Sequence, residues 1–531
     1  MDYYEDIATQ IIAGKITTAE QLQWVKIKLC QKYKLDHLPR NSEILGQLSP
    51  DMKSRVAPLL RKKPMRTISG IAPVAVMTSP APCPHGKCIY CPGGVEFGTA
   101  QSYTGREPAA LRARANDYDP FKQVRARIEQ LAVIGHPTDK IELIIMGGTF
   151  TARAPTYQDW FIKRCFDALN FDKPSVTLSE AQLRNETAPH RCTGLTIETR
   201  PDWCLEPQVD KILYQGGTRV ELGVQSLSDK VLARIARGHT VATTIESTRI
   251  LKDAGLKVCY HMMPSLPGAT YESDLAMFKQ IISDPKYRPD MLKIYPTIVI
   301  KGTKLYDLWL QKKYVPLEQN AVVKLIAVVK SWLPRWLRIQ RIQRDIPVQL
   351  ITAGIKHSNL RQLVNLELTA MQKSCECIRC REVGHKFLKG ILPELANIKL
   401  REDRYVASEG EERFLTYEDI KNNILVGYIR VRLPSELAHR PEVRSTRTAI
   451  IRELRVLGQM LRIGELATAT ELEKWQHFGF GKKLVHAAET LAIDDWDVKK
   501  ILVLSGVGVK DYYRRLGYTR EGVYMAKLLA T

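Results

Sequence analysis

Cys83-Pro-His-Gly-Lys-Cys88-Ile-Tyr-Cys91-Pro-Gly-Gly94 puts three thiols within nine residues and follows them with a flexible glycine pair. A structural zinc site closes with four ligands, whereas a 4Fe-4S cluster held by only three cysteines, Cys83, Cys88 and Cys91, leaves one iron open to another ligand. The competing reading is half a zinc knuckle completed by His85 or a distant cysteine. Outward from this loop, short apolar runs alternate with longer amphipathic stretches, the pattern of repeated β-α units around a parallel sheet. Six strands are expected, at Ile71–Thr78, Ile141–Met146, Thr193–Thr199, Arg219–Val224, Lys257–Met263 and Met291–Ile300. Six such units make a partial, open barrel of the α/β class, and barrels place reactive residues at the carboxyl ends of their strands. The cysteine loop directly follows the first strand.

The loop resembles the signature of the radical S-adenosylmethionine (radical SAM) enzymes, with a first gap of four residues where the commonest pattern has three. The resemblance implies that the open iron chelates the amino acid end of SAM and that Tyr90 lies beside the adenine. Met146-Gly147-Gly148-Thr149-Phe150 ends the second strand with glycines that let backbone approach a ligand, and it resembles the family's stretch for the cofactor's amino group. Thr196-Ile-Glu198-Thr-Arg200-Pro-Asp202 ends the third with an acid and a base suited to ribose hydroxyls and a carboxylate. Gly223-Val-Gln225-Ser226 and His261-Met-Met-Pro-Ser-Leu-Pro-Gly268 look like further barrel segments, and Gln225 joins the SAM set.

Lysine and arginine number 79 against 57 acids in 531 residues, and the net charge of +22 suits a polyanionic partner. With 44% hydrophobic residues the chain can build two or three domain cores. Eleven cysteines, six of them in two tight clusters, indicate metal chemistry in a reducing compartment rather than a disulfide framework. The start, Met1-Asp-Tyr-Tyr-Glu-Asp6, is acidic and carries no secretory or mitochondrial signal. The uncharged run between Arg66 and His85 is broken by Pro73, Pro80, Pro82 and Pro84, so it is no membrane helix. A cytoplasmic location is expected. Leu22, Val25, Leu29 and Tyr33 recur at helical spacing behind Thr17 and Thr18 as caps. Arg61, Lys62, Lys63 and Arg66 then stand in an acid-poor stretch that suits either phosphate contacts or a solvated linker.

A second cysteine group, Cys375-Glu-Cys377-Ile-Arg-Cys380, has His385 five residues on. Such soft ligands suit a structural zinc clip, with His385 or a distant cysteine as the fourth ligand; buried free thiols are the alternative. Further on, Gln476-His-Phe-Gly479-Phe480-Gly481-Lys482-Lys483 opens an apolar helix, and a Gly-x-Gly helix start offers free N–H groups and a positive dipole end to a pyrophosphate. With Asp511-Tyr-Tyr513-Arg-Arg-Leu-Gly-Tyr518, this part resembles the GNAT acetyltransferases, which implies that Gln476 and its neighbours hold coenzyme A and that Tyr513 lies near the thioester.

A radical SAM barrel and a GNAT domain together resemble the family of Elongator catalytic subunits, of prokaryotic type. The likeness rests on strings such as Lys63-Pro-Met-Arg-Thr-Ile-Ser-Gly70, Ser102-Tyr-Thr-Gly-Arg-Glu-Pro108, Arg341-Ile-Gln-Arg-Asp-Ile-Pro347 and Arg452-Glu-Leu-Arg-Val456. It implies coenzyme contacts at Lys140, at Glu453, Leu454, Arg455 and Val456, at Phe480, Gly481, Lys482 and Lys483, and at Tyr513, with Tyr513 and Lys140 as catalytic candidates. The layout expected is a basic helical tRNA-binding region at 1–66, the barrel at 67–310, a linker with the zinc group at 311–395 and the GNAT domain at 396–531. The activity implied is that of a tRNA uridine carboxymethyltransferase: a SAM-derived radical takes hydrogen from the methyl of acetyl-CoA, the carbon radical adds to position 5 of the wobble uridine in the anticodon loop, loss of an electron and a proton restores the uracil, and thioester hydrolysis leaves 5-carboxymethyluridine. Arg61, Lys62, Lys63 and Arg66 then become tRNA contacts. A separate reductant protein is required, and a homodimer is open. A protein-lysine acetyltransferase with a vestigial barrel and a non-catalytic tRNA-binding scaffold are the alternatives.

Overall fold

The apolar runs pair in chain order. β1 (Ala72–Met77), β2 (Lys140–Met146), β3 (Arg191–Thr199), β4 (Arg219–Gln225), β5 (Lys257–Met262) and β6 (Met291–Ile294) lie side by side, all parallel, as a curled half-barrel. The structure, a computed structural model, describes residues 2–458 and 479–529. Two details correct the expectation of six strands. The run predicted to reach Ile300 contains Pro296, which has no N–H for a ladder, so β6 stops at Ile294 and β7 (Val299–Ile300) leaves the sheet. β8 (Arg338–Ile342), inside the stretch read as a linker, returns to pair in parallel with β6 as a seventh strand, while β7 pairs with β9 (Ile351–Ala353).

Along these strands side chains alternate with period two. Ile141, Leu143 and Ile145, Leu195 and Ile197, and Val220 and Leu222 are fully buried in the main apolar core. The residues between them turn inward: Glu142, Thr196, Arg219 and Glu221 meet one another, and Glu198 meets Tyr103 and Lys293. Inward-facing positions of a closed barrel are normally filled by branched apolar side chains; here these five are polar, with Ile144 on β2 an apolar exception.

The C-terminal part is a second seven-stranded sheet in the order β10 (Ile398–Ala407), β11 (Gly410–Asp419), β12 (Ile424–Leu433), β13 (Thr448–Val456), β14 (Lys500–Val503), β16 (Tyr524–Leu528), β15 (Thr519–Glu521), in which only β13 and β14 run parallel. It sits under the amino ends of the barrel strands. Tyr524 donates to the Ala254 carbonyl at 3.0 Å, and a Cβ on Gly506 would stand 2.3 Å from the Thr193 carbonyl oxygen. The register of β12 on β13 jumps from Arg430 opposite Glu453 to Val431 opposite Ile451, so Arg452 is the extra residue of a β-bulge. The bulge aims Arg452 out of the sheet, where it grips Asp290 through two bonds of 2.6 and 3.0 Å and donates to the Leu256 carbonyl at 2.9 Å. Lys252 and Glu412 complete the group, and all four side chains are fully buried.

Before β1, the helix Ala19–Lys32 is capped by Thr18 in a capping box with Gln21, as its spacing predicts. It packs with the helices Tyr3–Ile12, Asn41–Gln47 and Pro50–Leu60 into a separate apolar cluster. That unit docks through His136, whose Nε2 meets the Lys62 carbonyl at 3.0 Å and whose Nδ1 meets the Thr67 hydroxyl at 2.8 Å. Burial, with Arg61, Arg66 and Arg127 nearby, holds the imidazole down to about 4. Among the described residues no helix is long and apolar enough to cross a membrane.

Two outcomes follow. Asp290→Asn strands the buried charges of Arg452 and Lys252 and should cost about 3–5 kcal/mol in chemical denaturation; an unchanged denaturation midpoint would show that the two sheets do not depend on this pair. As pH falls from 6.5 toward 4, the unfolded chain takes up a proton at His136 that the folded chain refuses, so stability should drop across that window by up to about 1.4 kcal/mol per pH unit. Denaturation of the wild type and of His136→Gln, compared from pH 7 to pH 4.5, should show the wild-type advantage shrinking; a constant gap would remove His136 from the acid response.

Candidate functional site

The carboxyl ends of the strands surround a cavity of about 130 Å³ that contains Cys83 at its edge. The sulfurs of the cysteine loop are met by donors. His85 Nε2 lies 3.2 Å from Cys88 Sγ, Gln101 Nε2 donates to Cys91 Sγ at 3.1 Å, Arg237 reaches Cys88 Sγ at 3.7 Å, and the Thr149 hydroxyl lies 3.6 Å from Cys83 Sγ. Gly223 is required here: a Cβ would stand 2.2 Å from Nη2 of Arg237, whose guanidinium is anchored on the Gly223 carbonyl at 2.5 Å.

Of the residues read as SAM contacts, Tyr90, Gly148, Thr149, Glu198, Arg200 and Gln225 line this cavity. Gly147 does not; its backbone is pressed against Thr78, where a Cβ would stand 2.1 Å from the hydroxyl. Gly148 carries the close approach instead, with its missing Cβ 3.6 Å from Cys83 Sγ. Arg200 is held bidentate by Asp202 at 2.9 and 2.5 Å, and its Nη1 is buried without a partner, as are Oε1 of Gln225 and the hydroxyl of Tyr90. Buried polar atoms of this kind are rare unless a ligand satisfies them.

The same cavity holds residues that the sequence did not single out. Glu221 accepts from His261 Nε2 at 2.8 Å and pairs with Lys293, which lies 3.9 Å from Glu198; Glu198 accepts from the Tyr103 hydroxyl at 3.0 Å. Burial pushes the Glu221 carboxyl up, but Lys293, His261 and Arg219 outweigh it and hold it well below the usual carboxylate range. The available signal was a lone acid in Arg219-Val-Glu221-Leu and a lone base in Met291-Leu-Lys293-Ile, each inside an apolar run.

A second cavity of about 80 Å³ opens at the amino ends of the strands against the C-terminal sheet. Glu453, Leu454, Arg455 and Tyr513 line it together with Glu142, Lys257 and Ser505. Burial lowers Lys257 to about 8, although Glu453 opposes the shift. Lys140 opens β2 two residues before Glu142 and is not among the lining residues. Val456, Phe480, Gly481, Lys482 and Lys483 stand outside the cavity. Phe480 and Gly481 begin the helix Phe480–Asp494 behind the left-handed cap Gly479, and a Cβ on Gly481 would stand 2.8 Å from the Tyr512 hydroxyl and 3.6 Å from Val456. Lys482 and Lys483 are exposed. Gln476 lies outside the described residues.

Cys375, Cys377 and Cys380 bring their sulfurs within 4.8 Å of one another. His385 does not join them: it sits on the short helix Val383–Phe387 with Nε2 3.9 Å from Glu382, and burial lowers it to about 4. Arg61 donates to the Gly135 carbonyl at 2.9 Å, whereas Lys62 and Lys63 are exposed. Arg66 neighbours Arg112 and Arg127, and burial with these two like charges lowers Arg127 to about 10.

Three family models match: the ELP3 N-terminal domain over residues 1–68, the Radical SAM superfamily over 80–281, and the Radical_SAM C-terminal domain over 289–370. A protein of Methanocaldococcus infernus named tRNA uridine(34) acetyltransferase is 50% identical over 99% of this chain and 98% of its own length. Human Elongator complex protein 3 is 42% identical over 96% of this chain and 93% of its own. The solved structure of archaeal Methanocaldococcus infernus Elp3 with an N-terminal deletion is 47% identical, covers 87% of this chain and 100% of the solved one, and superposes with a TM-score of 0.77. The radical SAM superfamily implies SAM and a 4Fe-4S cluster, and three cysteines with N–H donors on their sulfurs beside unsatisfied buried polar atoms fit both. The chain belongs to the family of tRNA uridine(34) acetyltransferases and Elongator complex protein 3.

Proposed function

We propose that this chain modifies the wobble uridine of tRNA, joining a two-carbon unit from acetyl-CoA to carbon 5 of the base to leave 5-carboxymethyluridine. The observation that carries the reading is the cavity at the carboxyl ends of the strands, where a three-cysteine loop meets unsatisfied buried polar atoms. The curated relatives are named for uridine 34, the wobble position.

Cys83, Cys88 and Cys91 would hold the cluster, and Tyr90, Gly148, Thr149, Glu198, Arg200 and Gln225, which line the cavity, the SAM. When bound, the pair supplies a carbon radical able to take hydrogen from an unactivated methyl group. The chain's own part is positioning and proton handling. His85, Gln101 and Arg237 direct N–H groups at the thiolates and steady their charge. Because Lys293 keeps Glu221 ionised, His261 must donate to it from Nε2. Restoring the uracil takes one electron and one proton from the adduct at carbon 5, and the His261–Glu221 pair lines the cavity where that proton would leave. Arg341 and Arg344 at the cavity rim, with Lys62, Lys63, Arg66 and the partly buried Arg61, offer charge to an anticodon loop whose base is turned out of its stack.

The C-terminal sheet with the helix Phe480–Asp494 reads as a GNAT acetyltransferase domain, at 396–531, after the helical region 1–66, the barrel 67–310 and the segment 311–395, whose β8 completes the barrel sheet. Its coenzyme would lie along Glu453, Leu454, Arg455 and Val456, over the helix start at Phe480 to Lys483, with Lys140 at the barrel side. Tyr513, which lines the lower cavity, would orient the thioester carbonyl. The cysteines at 375, 377 and 380 would hold zinc as a structural clip, with a fourth ligand other than His385.

Anaerobic incubation with SAM, acetyl-CoA, reductant and tRNA should yield carboxymethylated uridine by nucleoside mass spectrometry. The triple replacement of Cys83, Cys88 and Cys91 by alanine should abolish it together with 5′-deoxyadenosine. Product from the triple variant, or acetylated protein lysine as the sole product, would refute the reading. Metal analysis of Cys375→Ser should show zinc lost and iron unchanged, with a lower melting temperature; wild-type protein free of zinc would remove the clip.

A further inference from the structure

The two cavities lie at opposite ends of the same strands. Gly194 lines the lower one and Glu198 the upper, on β3; Lys257 and His261 do the same on β5. Four residues of strand span about 13 Å. Between the two mouths the inward side chains are mixed: Thr196, Arg219 and Cys259 are small or polar, and Ile144, paired with Thr196 from β2, is branched and apolar. Thr196, between Gly194 and Glu198, meets Glu142 at 3.5 Å, and Cys259, between Lys257 and His261, lies within 4.8 Å of both Glu221 and His261. One chain of ion pairs joins the cavities: Arg455 to Glu142 at 3.4 Å, Glu142 to Arg219, and Arg219 to Glu221 at 3.4 Å. Arg219 is 2% exposed, and its Nε is buried with no hydrogen-bond partner. A buried N–H left without an acceptor costs about 1–3 kcal/mol, so this donor stands ready for a carbonyl.

Resting on the function proposed above, we infer that the barrel interior is the passage by which the acyl-thioester arm of coenzyme A, anchored at the lower cavity, reaches the radical at the upper one, with the Glu142–Arg219 pair as its constriction. The arm is slender and uncharged and carries amide and thioester carbonyls, which suits a bore of alternating donors and acceptors. An apolar interior packed by branched side chains would exclude it. Separation by about 13 Å of strand also means that neither cavity alone can bring the methyl group to the radical. On its own side the second sheet closes on Leu256, Asp290 and Thr193.

The test is to narrow the passage at two residues that line neither cavity themselves, Thr196 beside Glu142 and Cys259 beside Glu221 and His261. Thr196→Leu and, independently, Cys259→Met add bulk to adjacent walls of the interior. In either variant, carboxymethylated tRNA should fall at least tenfold, while 5′-deoxyadenosine formed from SAM and reductant, and the affinity for acetyl-CoA by calorimetry, stay within twofold of wild type. Either variant suffices if its melting temperature matches wild type. A folded variant that makes product at the wild-type rate overturns the passage. If SAM cleavage or acetyl-CoA binding falls in step with product, the residues support a site rather than a route, and the inference is equally overturned. Wild-type enzyme that cleaves SAM and binds acetyl-CoA but never modifies tRNA refutes the underlying function, and the passage falls with it.

Discussion

The bidentate pair between Arg452 and Asp290 fixes the relation of the two sheets. Both side chains are fully buried, and so are Lys252 and Glu412 around them. Such a group gains little net stability, because removing four charges from water offsets most of the Coulomb attraction. What it contributes is uniqueness. An apolar interface tolerates sliding, whereas Arg452 has one place where both of its outer nitrogens meet Asp290 while one reaches the Leu256 carbonyl. The bulge that releases Arg452 from β12 also sets the faces of the residues after it: Glu453 and Arg455 border the lower cavity, while Leu454 packs against the core of its own sheet. Register, docking and the lower cavity therefore share one cause.

Inside the barrel the same logic sets protonation. Glu221 lies between Arg219, His261 and Lys293, and their attraction outweighs burial. Glu142 is likewise held below its usual range: burial raises it, but Arg219 and Arg455 prevail. An ionised carboxylate beside His261 requires an N–H at Nε2, so the orientation of the ring is tied to Lys293 on the next strand, which keeps Glu221 charged. Glu142, Glu198 and Glu221 each face a base across the interior, Arg219 for the first and Lys293 for the other two, and removing one member leaves the others unbalanced.

Local features were legible in the sequence. The capping box at Thr18, the strands β1 to β5 and the cysteine loop after β1 depend on residues close together in the chain, and they stand where spacing puts them. β8 was not legible, because five residues of mixed polarity, Arg338-Ile-Gln-Arg-Ile342, become a strand only when β6 offers them an edge. The end of β6 could have been read from Pro296, which a continuous apolar run disguised. Lys252, Asp290, Glu412 and Arg452 are scattered over some two hundred residues and look like ordinary surface charges until the fold assembles them. His385 shows the opposite failure. Its spacing from Cys380 suits a metal ligand, but the turn between them carries its ring to Glu382.

The polarity of the barrel interior also explains why the helical region before β1 docks where it does. The outer face of the half-barrel is apolar and is covered by helices such as Pro120–Val133, whose end leads to His136. The N-terminal unit has its own apolar cluster and meets the barrel through carbonyl and hydroxyl contacts at that ring rather than by merging cores. A neutral imidazole that accepts at one nitrogen and donates at the other is directional, and it fixes Lys62 and Thr67 on either side of it. Arg66, between them in the chain, is thereby held beside Arg112 and Arg127, where burial and like charge depress Arg127 although no carboxylate is among the causes. Gathering three guanidiniums at partial burial is unfavourable in the isolated chain, and a polyanion is the partner that reverses the sign of that cost. On the proposed function the basic segment owes its shape to His136, and its charge becomes favourable only when RNA is bound.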